Sequence, residues 1–228
     1  MTNFLICARG GSKGLNRKNI KNFFGKTLVE HAIKIGKEFK ESKITLSSDD
    51  RKILNIGKKN KINILKRPKK LSKDNSNELD VWRHYLNSMS IKNKKPKFFI
   101  SLPPTSPLRT ADTVKRAINK YSSGNYDFVV AIYKSKKNPY FNMVRKKKNL
   151  IVPFYKKLNL TRRQQAPDAF DLTTIVYVVN SNFVKNKNIK SIFQGKVGFV
   201  ESYNFREVID IDDADDFETA KLFYERNT

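Results

Sequence analysis

Short apolar runs, each ending in an unusual polar cluster, most constrain how this chain can fold. The first run, residues 4–8, has the length and the β-branched and aromatic content of a buried strand. Similar runs follow at 44–46, 62–65, 98–102 and 128–133, and apolar residues at helical spacing lie between them. This alternation of strand and helix predicts an α/β domain with a mostly parallel sheet.

The polar clusters fall where such a sheet would bind a ligand. GGSKG follows the first strand, SSDD the second, KRP the third and PPTSPLR the fourth. Ligands of open α/β sheets bind beyond the carboxyl ends of the strands. The sequence therefore predicts one site along this edge, and the agreement among the clusters is stronger support than any single motif.

The loop after the first strand predicts a phosphate-binding site. Gly10, Gly11 and Gly14 would let the backbone adopt positive φ and approach a ligand, so that N–H groups converge on anionic oxygens. Four cations flank these glycines: Arg9, Lys13, Arg17 and Lys18. The spacing fits neither a Walker loop nor a dinucleotide loop. A nucleoside triphosphate is the expected ligand, and a basic surface turn is the plainer alternative.

Residues 138–170 break the alternation, because they are aromatic, basic and punctuated by proline, with no helical period. We interpret them as an excursion of short strands and loops whose apolar residues a partner subunit would cover. Strand-like runs return at 174–179, 197–201 and 208–211. At 228 residues, a single domain with one excursion is expected.

Capping residues mark the predicted helix starts. Thr27 is the expected N-cap of the first helix, and residues 74–76 are expected to cap the helix that begins near Leu79. Asp212 or Asp213 would cap the helix at the C-terminal end of the sequence.

The charge leaves a second class of function open. The chain has 47 Lys and Arg against 21 Asp and Glu, a formal net charge of +26. A nucleic-acid-binding protein is therefore an alternative, since basic proteins gain affinity for polyanions by releasing counterions. The lysines are spread along the whole chain, however, and a triphosphate is itself a polyanion that a positive field would attract. We rank nucleic acid below a small anionic substrate as the partner.

Cysteine content and hydropathy bear on the compartment. The single cysteine, Cys7, lies in the first predicted strand, so no internal disulfide can form. The first apolar run is too short for a signal peptide, and no later run approaches the roughly 18 residues that a membrane span needs. We expect a cytoplasmic protein without a membrane partner.

Asp210 and Asp212 supply an acidic counterpart to the basic loop. On a strand, residues two apart point the same way, so both carboxylates would share one side while Ile209 and Ile211 face the core. Two carboxylates suit Mg²⁺, which completes its coordination with water and phosphate. Capping of the next helix is the alternative role for these aspartates.

The two histidines, His31 and His84, lie in helical patterns away from the strand ends. A hydrolytic triad and a zinc site are therefore poorly supported. The remaining cation-rich set suits phosphoryl or nucleotidyl transfer, in which positioning and charge neutralisation dominate catalysis.

Five motifs, in order along the chain, resemble those of the acylneuraminate cytidylyltransferase family, which includes CMP-sialic, CMP-legionaminic and CMP-pseudaminic acid synthetases. They are ARGGSKGLNRKNI (8–20), SSDD (47–50), PTSPLR (104–109), RRQQAP (162–167) and DIDDADDFE (210–218). The resemblance implies a three-layer, Rossmann-like fold of the nucleotide-diphospho-sugar transferase type. It also implies Mg²⁺-dependent transfer of CMP from CTP to the 2-hydroxyl of a 2-keto-3-deoxy nonulosonic acid, with release of pyrophosphate, for surface polysaccharide assembly.

The same resemblance implies roles for individual residues. The implied catalytic residues are Arg9, Lys18, Asp210 and Asp212, with both aspartates holding the metal. The implied nucleotide site is Ala8, Arg9, Gly10, Gly11, Ser12, Lys13, Asn19, Arg67, Asp74 and Ser76. The implied sugar site is Pro104, Thr105, Ser106, Arg109, Arg163, Gln164, Thr173 and Tyr177. Residues 138–170 would form the arm of a homodimer, with Arg163 and Gln164 reaching the neighbour's site, where a guanidinium suits an anionic substrate.

Departures from the family pattern fall on the sugar side. Pro103 stands where sialic acid enzymes usually have glutamine, and TTIVY at 173–177 stands where they have NGAIY. The nucleotide motifs are intact, so the reaction is better supported than sialic acid itself, and several segments resemble the legionaminate branch more closely. The same chemistry on an eight-carbon Kdo-type acid is the enzymatic alternative. It ranks lower because those synthetases usually have a shorter loop without GGSKG.

Overall fold

The computed structural model describes residues 1–91, 95–155 and 160–226. The strands are β1 (Thr2–Cys7), β2 (Asn22–Phe23), β3 (Lys26–Thr27), β4 (Ser42–Ser48), β5 (Asn63–Lys66), β6 (Phe98–Ser101), β7 (Phe128–Lys134), β8 (Val144–Lys147), β9 (Leu150–Pro153), β10 (Phe170–Asn180) and β11 (Val197–Glu201). The helices are α1 (Leu28–Lys37), α2 (Arg51–Lys59), α3 (Glu78–Ile91), α4 (Ala111–Ser122), α5 (Ser181–Lys185) and α6 (Ala214–Glu225).

A seven-stranded sheet in the order β11-β7-β10-β6-β1-β4-β5 forms the centre of the fold. β1 pairs in parallel with β4 and β6, β4 with β5, and β7 with β11. β10 is antiparallel to both of its neighbours, β6 and β7. The predicted α/β fold with a mostly parallel sheet is confirmed. Because β10 runs in reverse, its first residues lie at the same edge as the carboxyl ends of the parallel strands.

Helices cover both faces of the sheet and give three layers. Phe4 and Ile6 of β1 pack with α1, α2 and α4, whereas Leu5 packs with α3 and α5. Successive residues of a strand point to opposite faces, so this short apolar run serves two cores at once. Each of these side chains is fully buried, and each contributes about 1.5–3 kcal/mol of transfer free energy. The first predicted strand therefore anchors both halves of the molecule.

Two of the three predicted helix caps occur as expected. The Thr27 side chain accepts from the backbone N–H of Glu30, and Glu30 accepts from Thr27 in a reciprocal capping box. Asp213, one of the two alternatives, caps α6 in the same way. The cap expected at 74–76 is wrong, because Asn77 Oδ1 accepts from the N–H of Leu79 at 2.9 Å.

The strand predicted at 208–211 is also wrong. Phe205–Val208 forms a 3-10 turn, and the chain then crosses the carboxyl edge of the sheet in an extended form outside the strand ladders. The N–H of Ile211 donates to the carbonyl oxygen of Thr105 at 2.8 Å and ties this crossing to the turn after β6. Ile209 and Ile211 are buried as expected, but they pack against a cluster beneath α6 rather than against the sheet.

The excursion at 138–170 contains a hairpin of β8 and β9 that is separate from the main sheet. Asn138 joins the two ends of this excursion, because the Asn138 Nδ2 donates to the carbonyl oxygen of Pro167 at 2.8 Å. Leu150 and Ile151 at the hairpin are each 70% exposed. No helix in the described ranges is long and apolar enough to cross a membrane.

The capping box predicts a measurable loss of stability. Thr27→Ala removes the acceptor for the Glu30 N–H and is expected to lower the free energy of unfolding by about 1 kcal/mol. Urea denaturation measures this change. Thr219→Ala, at an exposed position of α6, is the matched control and should stay within about 0.5 kcal/mol of the unsubstituted protein. Equal midpoints for the two variants would contradict the capping role.

Candidate active site

A cavity of about 560 Å³ opens at the carboxyl edge of the sheet, bordered by the ends of β1, β5 and β6 and by the start of α3. The predicted site residues that line it are Arg9, Ser12, Lys13, Lys18, Asn19, Arg67, Asp74, Ser76, Pro104, Thr105 and Asp212. The structure therefore brings the basic loop, one residue of the acidic pair and the PPTSPLR turn to one place.

Lys18 joins the basic loop to the acidic segment. Its Nζ donates to the carbonyl oxygen of Ile211 at 2.5 Å and to Asp212 Oδ1 at 2.9 Å. The residue is only 9% exposed, whereas the Asp212 side chain is largely exposed to the cavity. A buried ammonium beside a carboxylate is stabilised by that charge, so Lys18 holds Asp212 at the mouth of the site.

The loop is held by bonds between its own side chains and backbone. Ser12 Oγ accepts from the backbone N–H of Lys18 at 3.1 Å, and Asn19 Nδ2 donates to the carbonyl oxygen of Arg9 at 2.9 Å. Ser12 and Asn19 therefore shape the loop from positions that also line the cavity. Such bonds organise the loop before any ligand arrives.

SSDD and the start of the loop support each other. The N–H of Gly10 donates to Asp49 Oδ1 at 3.0 Å, and the N–H of buried Ala8 donates to the carbonyl oxygen of Ser47 at 3.0 Å. Asp50 caps α2 by accepting from the N–H groups of Lys52 and Ile53. In this arrangement the amides of Ala8 and Gly10 hold the scaffold together.

The expected positive φ at the loop glycines is wrong, because Arg17 is the loop residue in the left-handed region, with φ of 52°. Gly10 and Gly14 are required for a different reason: the backbone at each lies too close to a neighbouring segment to leave room for a side chain. A Cβ at Gly10 would lie 2.7 Å from the Cβ of Asp50, and one at Gly14 would overlap the carbonyl oxygen of Asp212. Gly11 faces open space, with nothing within 4 Å of a built Cβ.

Asp74 sits between two loop cations. Its Oδ1 accepts from Arg9 Nη1 at 2.6 Å, and its Oδ2 pairs with Lys13 Nζ at 2.7 Å. The hydrogen bonds from Lys13 and Arg9 hold the pKa of the Asp74 carboxyl below its usual value. The Asp74 carboxylate thus pairs with both cations that are expected to bind phosphate. Because two oxygens of one group fit between these cations, the arrangement also suits two phosphate oxygens.

Arg67 lies below the loop and is buried. Its Nη2 donates to the carbonyl oxygen of Ser47 at 2.8 Å, its Nε lies 3.4 Å from Ser47 Oγ, and its backbone N–H donates to Ser48 at 2.7 Å. Nη1 makes no hydrogen bond within the part of the chain that is described. The guanidinium is thus fixed by β4 while one donor group is left for the cavity.

The two aspartates of the acidic pair border different cavities. Asp212 lines the first cavity, and Asp210 lines a second cavity of about 440 Å³ together with Ser135, Thr173 and Thr174. Asp210 Oδ1 is buried and has no hydrogen-bond partner among the described residues. The same residues contain no group of three or more His, Cys, Asp or Glu that could hold a metal.

Several residues assigned to the sugar make internal hydrogen bonds instead. Ser106 Oγ lies 2.6 Å from Thr174 Oγ1, and Thr173 Oγ1 donates to the carbonyl oxygen of Ala131 at 2.8 Å. The guanidinium of Arg109 donates to three backbone carbonyl groups, those of Pro103, Ser106 and Ile175. Burial lowers the pKa of Arg109 to about 9, and the Asp210 carboxylate acts in the opposite direction. These contacts favour a scaffolding role for Ser106, Arg109 and Thr173.

The other predicted sugar residues are dispersed. Pro104 and Thr105 line the first cavity, whereas Tyr177 lines a separate cavity of about 220 Å³. Arg163 and Gln164 lie in an exposed 3-10 turn, where Arg163 Nη2 contacts the carbonyl oxygen of Ser135 at 3.4 Å. Within the described chain, therefore, the sugar set does not form one pocket.

Sequence analysis did not assign five residues that line the first cavity: Cys7, Leu71, Lys73, Glu78 and Val81. Alternation along β1 could have indicated Cys7, because Leu5 and Cys7 face the same side of the sheet. Burial raises the pKa of the Cys7 thiol to about 12, which leaves it a neutral part of the cavity wall. The positions at the start of α3 carried no comparable signal.

Comparison with known proteins identifies the family to which the sequence is similar. Residues 3–228 match the family model described as Cytidylyltransferase. The chain is 29% identical to post-translational flagellin modification protein B of Campylobacter coli, over 97% of this chain and 94% of that protein. It is 31% identical to CMP-N,N'-diacetyllegionaminic acid synthase of Campylobacter jejuni, over 95% of this chain and 92% of that protein. The resemblance noted in the sequence is confirmed.

The fold has a solved counterpart. The chain is structurally similar to CMP:2-keto-3-deoxy-manno-octonic acid synthetase complexed with CTP, with a TM-score of 0.73 and 11% sequence identity. The match covers 100% of each chain. That likeness concerns the fold, including its mostly parallel sheet with helices on both faces. Together with the family match across nearly the whole sequence, it leads to one conclusion: this chain belongs to the cytidylyltransferase family of nucleotidyltransferase enzymes.

Proposed function

We propose that this enzyme transfers CMP from CTP to the 2-hydroxyl of a 2-keto-3-deoxy nonulosonic acid and releases pyrophosphate. The observation that carries the proposal is the pair formed by Lys18 Nζ and Asp212 Oδ1 at 2.9 Å, which joins a phosphate-type loop to an acidic segment within one cavity. Nucleotidyl transfer needs cations for the phosphates and carboxylates beside the α-phosphate.

The loop supports binding of the triphosphate. Arg9 and Lys13 already hold the two oxygens of Asp74 at 2.6 and 2.7 Å. A triphosphate carries more charge than one carboxylate and would take over these partners, while the open face of Gly11 leaves room for its oxygens. Arg67 and Ser76, which line the same cavity, would then lie on the side of the base.

Asp210 and Asp212, which border neighbouring cavities, are the carboxylates available to a divalent cation. The Oδ1 atom of Asp210 is buried without a partner, and a buried carboxylate oxygen is costly unless a cation or donor satisfies it. These two carboxylates would hold Mg²⁺, with phosphate and water as the remaining ligands. When bound, Mg²⁺ would neutralise charge on the phosphates and make the α-phosphorus more electrophilic.

The residues of this chain divide the transfer between them. The 2-hydroxyl oxygen of the acid forms a bond to the α-phosphorus as the bond to pyrophosphate breaks. Asp210 or Asp212 accepts the hydroxyl proton, and Arg9 and Lys18 stabilise the charge that develops on the phosphates. Lys18 also donates to the Ile211 carbonyl oxygen. This bond would keep the acidic segment close to the phosphates during the whole transfer.

A nine-carbon acid is the preferred acceptor class. The legionaminic acid synthase is 31% identical to this chain, whereas the octonic acid synthetase is 11% identical. The chain's own TTIVY segment differs from the sialic acid pattern, and the hydroxyl groups of Thr173 and Thr174 are held by Ala131 and Ser106. These features favour a legionaminic-type acid over sialic acid.

We further propose that residues 138–170 form the arm of a homodimer. Leu150, Ile151 and Tyr155 project from this region with at least half of their surface exposed. Exposed apolar groups clustered on one segment are typical of interfaces. A second copy would cover them and receive Arg163 and Gln164, whose exposed turn lies in the same segment.

Pyrophosphate release tests the reaction directly. The enzyme is incubated with Mg²⁺ and CTP, ATP, GTP or UTP, together with sialic, legionaminic, pseudaminic or Kdo-type acids, and reactions without an acid serve as controls. Release that requires both CTP and a nine-carbon acid is expected. Release only with the Kdo-type acid would favour the eight-carbon alternative. Absence of release together with salt-dependent affinity for arbitrary DNA would favour nucleic-acid binding.

Asp212→Ala is expected to lower kcat by about 100-fold or more, because it removes a carboxylate that faces the phosphates. The fold should persist, since the Asp212 side chain is largely exposed and Lys18, its ion-pair partner, still donates to the Ile211 carbonyl oxygen. Asp215→Ala, also an exposed aspartate and in the first turn of α6, is the control and should keep its activity. Mg²⁺-dependent turnover at the unsubstituted rate in Asp212→Ala would remove the metal assignment.

The arm predicts complementation between subunits. Arg163→Ala and Lys18→Ala should each be inactive alone. In a mixed dimer of the two variants, one of the two sites contains both an unsubstituted Lys18 and an unsubstituted Arg163 from the neighbouring subunit. Tagged variants are co-expressed, mixed dimers are isolated, and pyrophosphate release per dimer is measured. Recovery of activity is expected, and an inactive but verified mixed dimer would show that the arm serves its own subunit.

A further inference from the structure

Glu207 is a buried carboxylate that precedes Asp210 by three residues. It lies in the 3-10 turn Phe205–Val208 and is only 4% exposed. Burial of a carboxylate is costly unless hydrogen bonds satisfy its oxygens. The partners of Glu207 therefore show what its burial achieves.

Three hydroxyl groups donate to the Glu207 carboxylate. Thr110 Oγ1 donates to Oε1, while Thr113 Oγ1 and Ser202 Oγ donate to Oε2 at 2.6 and 3.0 Å. Thr110 is the N-cap of α4, and Ser202 directly follows β11. The positive end of the α4 dipole also favours an anion here. Glu207 thus fastens the 205–208 turn to a helix and to a strand of the main sheet.

Arg116 reinforces this network from α4. Its Nη2 donates to Thr113 Oγ1 at 3.0 Å, and its Nη1 donates to the carbonyl oxygen of Glu201 at 2.8 Å. The Thr113 hydroxyl therefore accepts from a cation and donates to the Glu207 anion, an arrangement in which each bond strengthens the other. Because the same guanidinium joins α4 to the last residue of β11, the position of the Glu207 carboxylate is closely defined.

The 205–208 turn also forms part of the wall of the second cavity. Phe205 and Val208 line this cavity together with Lys136 and Asp210. Lys136 Nζ lies 4.7 Å from the centre of the Phe205 ring. A displacement of the turn would therefore change the cavity that Asp210 borders.

Asp210 depends on its neighbours in the chain for its position. Its Oδ1 atom has no hydrogen-bond partner within residues 1–91, 95–155 and 160–226. The backbone is held after Asp210 by the bond from the N–H of Ile211 to the Thr105 carbonyl oxygen at 2.8 Å. It is held before Asp210 by the bonds of Glu207 to α4 and to Ser202.

We propose that Glu207 is a positioning residue for the transfer reaction, which fastens the 205–208 turn to α4 and β11 and thereby places the Asp210 carboxylate. The inference rests on the proposed function and extends it to a buried residue outside the recognised motifs. Glu207 itself contacts neither substrate in this role.

The length of the Glu207 side chain should matter more than its charge. A glutamine of the same length can accept from Thr110 and donate to the hydroxyl oxygens of Thr113 and Ser202, since a hydroxyl group both donates and accepts. An aspartate keeps the charge but is one methylene shorter. It can bond to α4 and Ser202 only if the turn moves, and Asp210 would move with it.

The test compares catalysis with nucleotide binding in Glu207→Gln, Glu207→Asp and Thr113→Val. We measure kcat and KM from pyrophosphate release with the preferred acid, the dissociation constant of CTP by titration calorimetry, and Tm by circular dichroism. Val184→Ala is the control for lost stability, because Val184 is fully buried in the core on the α3 and α5 side of the sheet. Thr113→Val keeps the test decisive should Glu207→Asp fail to fold.

Glu207→Asp is expected to lower kcat by about 10- to 100-fold, whereas Glu207→Gln should keep most of the activity. Thr113→Val, which removes one donor to Glu207 and the acceptor for Arg116, should fall between these two variants. The affinity for CTP should remain unchanged in all of them, because the loop after β1 and its bonds to Lys18 are not altered. Val184→Ala should keep its kcat despite a lower Tm.

Three results would overturn the inference while leaving the reaction in place. One is an unchanged kcat in folded Glu207→Asp or, if that variant does not fold, in Thr113→Val. Another is an equal loss of kcat in Val184→Ala at a similar Tm, which would indicate a general loss of packing. The third is a parallel loss of CTP affinity, which would assign Glu207 to the nucleotide side. Absence of pyrophosphate release from the unsubstituted enzyme would instead contradict the proposed function, and the inference with it.

Discussion

The bond network of Lys18 is the interaction on which the rest of the site depends. The loop after β1 and the segment before α6 are separated by nearly the whole sequence, and one buried ammonium joins them through the Ile211 carbonyl and the Asp212 carboxylate. Gly14 permits this approach, since any side chain there would overlap the Asp212 carbonyl oxygen. The close approach of two backbones, stabilised by one charge pair, converts separate sequence motifs into a single cavity.

Charge balance in the cavity explains how several cations can lie close together in one site. Arg9 and Lys13 would repel each other and the Lys18 ammonium if they were left unpaired, but Asp74 and Asp212 each neutralise part of that charge. These pairs are exposed on the carboxylate side, so water and salt screen them and their contribution to stability is small. Their importance lies in positioning, because they hold the cations in an arrangement that suits phosphate oxygens.

Sequence patterns correctly predicted the features of the fold that depend on local periodicity. They failed for features that depend on contacts between residues far apart in the sequence. Alternation correctly indicated the buried strands and the burial of Ile209 and Ile211. It could not show that these two residues pack beneath α6, so the strand predicted at 208–211 proved to be an extended crossing. Glycine content indicated an unusual loop, yet the reason for Gly14 is an aspartate carbonyl almost two hundred positions away, which no local rule reveals.

The same distinction explains why the nucleotide side of the site is easier to identify than the acceptor side. The nucleotide residues lie in a few contiguous motifs at the ends of neighbouring strands, so their order in the sequence matches their place in the cavity. On the acceptor side, PTSPLR mainly builds a turn: Arg109 binds three carbonyl groups, Ser106 pairs with Thr174, and Thr105 receives the N–H of Ile211. Because the motif positions the acidic segment through these bonds, its presence is expected whatever the acceptor. We therefore expect the identity of the acid to depend on side chains outside the motif, on β10 and on any neighbouring subunit.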